Sequence, residues 1–127
     1  MAIVHVLSPP PVAPAGKTPV KRTSIGSVPS NQSSQDIYTI PSESTLVIQH
    51  IHGGVELSVA GGRVELLYRT SGSVDEIVNV GYASGNNFRL DLNERFVGNG
   101  ERVLIMKQIN QGGGPLHMFS RWTGYLE

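Results

Sequence analysis

From Asp36 onward, apolar and polar residues alternate with a period of two. Asp36–Ile40 reads DIYTI, and Pro41-Ser42-Glu43 forms a turn before Thr45–His52, TLVIQHIH. Gly53-Gly54 is expected to end that run. In Val55–Val59, Val55, Leu57 and Val59 share one face, with Glu56 and Ser58 on the other. Past the hairpin signal Gly61-Gly62, Val64, Leu66 and Tyr68 point inward, while Arg63, Glu65 and Arg69 point outward. Glu76–Tyr82 follows, and then Phe88, Leu90 and Leu92 alternate with Arg89 and Asp91. Gly98-Asn99-Gly100 turns the chain into RVLIMKQI, and Gly112-Gly113-Gly114-Pro115 leads into Leu116–Tyr125. Side chains alternate across a strand, so each run predicts one half-buried strand. About eight such runs, parted by Gly, Ser and Asn turns every 8–12 residues or so, predict an all-β fold. The expected architecture is a single antiparallel β-sandwich, jelly-roll-like. No window carries the i, i+3, i+4, i+7 stripe of a helix.

Before Asp36 the texture differs. Ala2–Leu7 is a short apolar run, and Ser8–Gln35 holds six of the 8 prolines. Proline fixes φ and lacks a donor, which argues against a helix or a central strand there. Residues 1–35 are therefore expected to be an extended Pro/Ser-rich N-terminal arm, and residues 36–127 the β-sandwich domain. In the arm, Ile3, Val4 and Val6 could add to a partner's sheet edge by main-chain pairing.

Charge sharpens that picture. The chain carries 10 basic and 10 acidic residues, so no bulk attraction to nucleic acid is implied. Lys17, Lys21 and Arg22 are the only charged residues of the arm; the body holds the other 7 basic and all 10 acidic ones. A basic arm on a mildly acidic body suggests docking onto a neighbour, so these three cations join Ile3, Val4 and Val6 as expected partner contacts. The absence of cysteine excludes disulfides, thiol catalysis and Cys-ligated zinc. Met1–Leu7 is too short for a signal segment, and Leu46–Ile51 is too short to span a bilayer as a helix. The expectation is a soluble intracellular product, with no membrane partner.

Candidate chemistry is thin. His50-x-His52-x-x-x-Glu56 resembles the first metal motif of cupins, and His117 would be the fourth ligand. Histidines at i and i+2 share a strand face. The motif's early glycine is Ser44 here, and the second cupin motif is absent. Bound metal needs ligand number and supporting contacts together, so no metal and no cofactor is expected. No Gly-x-Ser-x-Gly is present, and the paired carboxylates fall in turns or on outward positions, so no catalytic residue is assigned. Trp122 is expected in the core, the alternative being a sugar-stacking platform on a carbohydrate- or receptor-binding module.

The IPSESTLVIQHI entry segment, the Phe96-Val97-Gly98-Asn99-Gly100 turn, the VLIMKQIN strand and the FSRWTGYLE segment together resemble small jelly-roll modules of tailed-phage virions. Such modules serve as head decoration, head-fibre and tail components. The resemblance implies a non-enzymatic virion structural protein, of the capsid decoration or stabilising type. Its partners would be copies of itself, with a trimer favoured, and a capsid or other virion protein.

Overall fold

The computed structural model describes residues 13–55, 61–70, 75–83 and 88–127. They form eight strands: β1 (Thr18–Val28), β2 (Ser33–Thr39), β3 (Thr45–Val55), β4 (Gly62–Arg69), β5 (Asp75–Ala83), β6 (Phe88–Val97), β7 (Val103–Asn110) and β8 (Leu116–Leu126). One sheet has the order β1-β8-β3-β6 and the other β2-β7-β4-β5, with every described pairing antiparallel. The chain changes sheet at each connection except the β4–β5 hairpin. This is the eight-stranded, two-sheet jelly roll that the alternation predicts.

The core lies between the sheets. Leu46, Ile48, Ile51 and Val55 of β3 meet Val64 and Leu66 of β4, Leu104 and Met106 of β7, and Met118 and Trp122 of β8. Full burial of each such side chain stabilises the fold by about 1.5–3 kcal/mol before entropy is counted. Trp122 is completely buried, with the Tyr38 ring edge-on at 5.4 Å. A register shift between Ile48 and His50 moves the inward set of β3 from even to odd positions. Ile48 and Ile51 can therefore both face the core, while His50 and His52 face out. Without the shift, half of β3 would turn its apolar face to water.

Two amide side chains are buried with this core among the described residues. Gln108 on β7 donates from Nε2 to Ser120 Oγ (2.9 Å) and to the Ser24 carbonyl (3.0 Å), tying the two sheets together. Asn110, 0% exposed, donates to the carbonyls of Val28 and Gly114 and accepts from the Gly112 N–H. That one amide fixes the end of β1 to the β7–β8 connection. Each amide is paired, as a buried polar group must be.

Two differences from the sequence expectations stand out. Residues 18–28 belong to the sandwich rather than to an arm, so the expected boundary between 35 and 36 cuts through β2 and leaves β1 outside. The physical reason is that β1 is an edge strand. It needs only one row of ladder bonds, and an edge tolerates Pro19. Gly53-Gly54 does not end β3, because β8 and β6 pair along both sides of it as far as Gly53. The expected run Val55–Val59 lies outside the described residues beyond Val55.

Candidate functional site

Among the described residues, four large apolar side chains stand exposed: Ile25 (67%), Ile37 (49%), Ile77 (59%) and Val97 (56%). Each lies on a different strand, β1, β2, β5 and β6, and these are the four edge strands of the two sheets. Edge strands offer unpaired N–H and C=O groups, and charge or proline commonly blunts them. β1 carries Pro19, Lys21 and Arg22, and β6 carries Arg89, Asp91, Glu94 and Arg95. β2, SSQDIYT, has no Lys, Arg or Pro, and its one charge, Asp36, is held by Arg22. Among the described residues, no strand pairs with the outer edge of β1 or of β2, and each carries an exposed isoleucine.

The expected arm cations separate into two kinds. Lys17 ends the turn closed by its N–H onto the Pro14 carbonyl, and Lys21 is exposed on the outer face of β1. Arg22 faces the other way. It donates from Nε to Asp36 Oδ2 (3.0 Å) and from Nη2 to Asp36 Oδ1 (2.7 Å), across the gap between the two edge strands. This hydrogen bond and the adjacent carboxylate raise the Arg22 pKa further. Its charge is thus paired within the chain, while the side chain stays 41% accessible. The inward alternation of β1 (Val20, Arg22, Ser24) is what turns it toward Asp36. Ile3, Val4 and Val6 lie outside the described residues.

The histidines lie on the outer face of the other sheet's centre. His50 is buried (2% exposed) and donates from Nδ1 to Asp91 Oδ1 at 3.2 Å. The His52 ring is 6.1 Å from the His50 ring and meets Phe119 edge-on at 5.1 Å. Thr23, Arg121, His52 and Arg89 occupy one row across the sheet. Burial lowers the His52 pKa, and the neighbouring His50, Arg121 and Arg89 lower it further. His117 stands opposite Ser27, four residues along β8 from Arg121, or about 13 Å at strand spacing. Glu56 lies outside the described residues. The structure thus does not gather His50, His52 and His117 as one ligand set, and among the described residues no cluster of three or more His, Cys, Asp or Glu could hold a metal. Trp122, fully buried, offers no face for sugar stacking.

Sequence reasoning missed the exposed edge isoleucines. Ile25 sits in a strand whose central inward positions are Arg22, Ser24 and Gly26, so no continuous apolar alternation marks it. A signal was present in the opposite parity, where Lys21, Thr23, Ile25 and Ser27 form an outward row broken by one apolar residue.

The Pro41 turn, the Gly98-Asn99-Gly100 turn and the closing strand meet β3 and its entry. Gly98 packs beneath the Pro41 turn, where its N–H reaches the Ser44 carbonyl at 2.8 Å and an added Cβ would lie 2.3 Å from the Pro41 oxygen. Asn99 Oδ1 accepts from the N–H groups of Glu101 and Arg102 and holds the turn closed. Gly124 approaches β3 so closely that a Cβ would lie 2.1 Å from the Val47 oxygen.

No family model and no curated protein matches the chain. Among solved structures, the chain is similar to the crystal structure of the Yersinia pseudotuberculosis-derived mitogen. The two are 12% identical, the alignment covers 84% of this chain and 86% of that one, and the TM-score is 0.56. At that identity the likeness is one of fold, an all-β architecture shared over most of both chains.

Proposed function

We propose that this protein is a non-enzymatic structural module that attaches to a larger assembly: a tailed-phage virion component of the capsid decoration or stabilising type. The observation that carries this reading is the placement of Ile25, Ile37, Ile77 and Val97 on the four edge strands. Exposed apolar side chains beside free backbone edges suit pairing with other chains. The jelly-roll body and the resemblance of its four segments to virion modules support the same reading. Partners would be sister copies, as a trimer, and a capsid or other virion protein.

In this reading the segment Ala2–Leu7 grips the neighbour by strand addition. Its main chain extends a sheet, and Ile3, Val4 and Val6 fill the gaps between outer side chains. Lys17 and Lys21 meet acidic neighbours and set orientation and on-rate more than final affinity. A component that binds only assembled shells stabilises them by mass action, and repeated symmetric sites add avidity.

The test is occupancy of particles. Full-length protein should copurify with virus particles at stoichiometric copy number, and deletion of residues 1–8 should abolish this while the body stays folded. Equal occupancy by both forms would sink the attachment role. Absence of the full-length protein from particles would sink the virion reading.

A further inference from the structure

One end of the β2-β7-β4-β5 sheet carries a cavity of about 370 Å³ on its outer face. That lies in the lower part of the ligand-pocket range of about 300–1,000 Å³. Ser33, Ile109 and Arg63 form one row across β2, β7 and β4 beneath it, with Lys107 and Glu65 in the next row. Asn31 and Gln32 of the β1–β2 turn and Gln111 after β7 form the rim.

The charge in this cavity is unbalanced. Arg63 gives Nη2 to Glu65 Oε1 at 3.0 Å, but its Nε is buried with no hydrogen-bond partner. A buried donor left unpaired is unfavourable unless something accepts from it. Lys107 has no ion-pair partner among the described residues. Among the described residues, two cations against one carboxylate leave a net positive site, fitted to one anionic group.

The rim has a different chemistry. The side chains of Asn31, Gln32 and Gln111 are exposed and make no hydrogen bond among the described residues. An amide both donates and accepts, as does the Ser33 hydroxyl. A sugar hydroxyl has the same double character. Ile109 gives an apolar floor for the C–H face of a ring.

The cavity is also held in shape. Asn110 lines it with its own amide engaged by Val28, Gly112 and Gly114. Asn31 takes a left-handed backbone, φ 58°, in the turn closed by the Gln32 N–H on the Pro29 carbonyl. A non-glycine residue held there is a small strain of the kind found at ligand clamps. A preformed site loses less entropy on binding.

We propose that this cavity binds an acidic saccharide, with the sugar carboxylate on Arg63 and Lys107 and the ring hydroxyls on the amides of Asn31, Gln32 and Gln111. The inference is independent of the virion reading, since it uses neither the arm nor the strand edges. It also differs from a stacking site in that, among the described residues, no aromatic side chain lines the cavity.

Calorimetric titration of the full chain tests it, with trigalacturonic acid, sialyllactose, neutral trigalactose, sodium acetate and a tetraglutamate peptide as probes. Saturable binding of at least one acidic saccharide and none of the neutral one is expected. Lys107→Gln should weaken that binding by about tenfold without shifting thermal unfolding. Asn31→Gly, which suits the left-handed backbone and deletes only the amide, should weaken it as well. If Arg63→Gln fails to fold, these two variants carry the test. Binding of neither acidic saccharide, or binding indifferent to both variants, overturns the proposal. Acetate binding as tightly as the saccharide makes the cavity a simple anion site, and tetraglutamate binding more tightly makes it a peptide site; either result also overturns it.

Discussion

Arg22 on β1 and Asp36 on β2 close the open side of the sandwich by a two-pronged ion pair, with contacts of 3.0 and 2.7 Å between strands that belong to different sheets. Paired planar forks of this sort are the stronger form of salt bridge. The pair is partly exposed, the side chains being 41% and 20% accessible, so solvent screens it. Arg22→Ala should destabilise the fold by about 1 kcal/mol. In a double-mutant cycle with Asp36→Ala, the coupling should be of the same order and shrink at high salt. Zero coupling at low salt would mean that the bridge contributes nothing to closure.

The position of β1 predicts where truncation is tolerated. A chain beginning at residue 13 should unfold cooperatively, with a midpoint close to that of the full chain. A chain beginning at residue 36 loses β1 and half of β2, which uncovers the β8 edge and leaves Gln108 without its Ser24 acceptor. It should be aggregation-prone or fail to give a cooperative melt. Equal circular dichroism melts for the two chains would show that β1 is dispensable.

Gly124 should accept no side chain. It faces Ile48 just where β3 shifts register, and a Cβ would meet backbone rather than a movable side chain. Gly124→Ala should destabilise by about 1–3 kcal/mol or more, as at overpacked core sites. Gly26→Ala, whose Cβ would meet nothing within 4 Å, is the control and should be close to neutral. Chemical denaturation of the two variants checks the contrast.

Acid should weaken the fold through His52. Its folded pKa is lowered, first by burial and then by the nearby positive charges. The unfolded chain therefore binds the proton more readily than the folded one. Stability is full above the ordinary histidine value of about 6.5 and declines as pH falls from there through the lowered folded value. Thermal midpoints taken between about pH 7.5 and 5 should drop in the wild type and drop less in His52→Gln. Parallel curves would remove His52 as the source.

Much of the sandwich was legible because burial imposes a period of two. Val64, Leu66 and Trp122 all fall on the expected inward side. β1 was not legible, because the middle of its inward row is Arg22, Ser24 and Gly26, with Val20 and Val28 only near its ends. Arg22 and Ser24 are accounted for by an ion pair and a carbonyl hydrogen bond that only the opposite sheet supplies. The strand continuity through Gly53-Gly54 was hidden for a related reason: pairing on two sides outweighs a local preference to turn. The outward placement of His50 and His52 fits their shared strand face, but the engagement of His50 with Asp91 depends on a register between strands about 40 residues apart, which no local pattern encodes.

The pairing of β1 with β8 also sets an order of events. The residues joined are Thr18 with Leu126 at one end and Val28 with Leu116 at the other, so nearly the whole described chain lies between the two partners. Closing so large a loop is entropically slow, and its reward arrives only after β8 is in place beside β3. During synthesis β1 emerges early and must wait, unpaired, while some 90 further residues are made. Its polar inward face and its proline keep that waiting strand from sticking to others. The same residues that disguise β1 as a linker suit it to a long delay before folding.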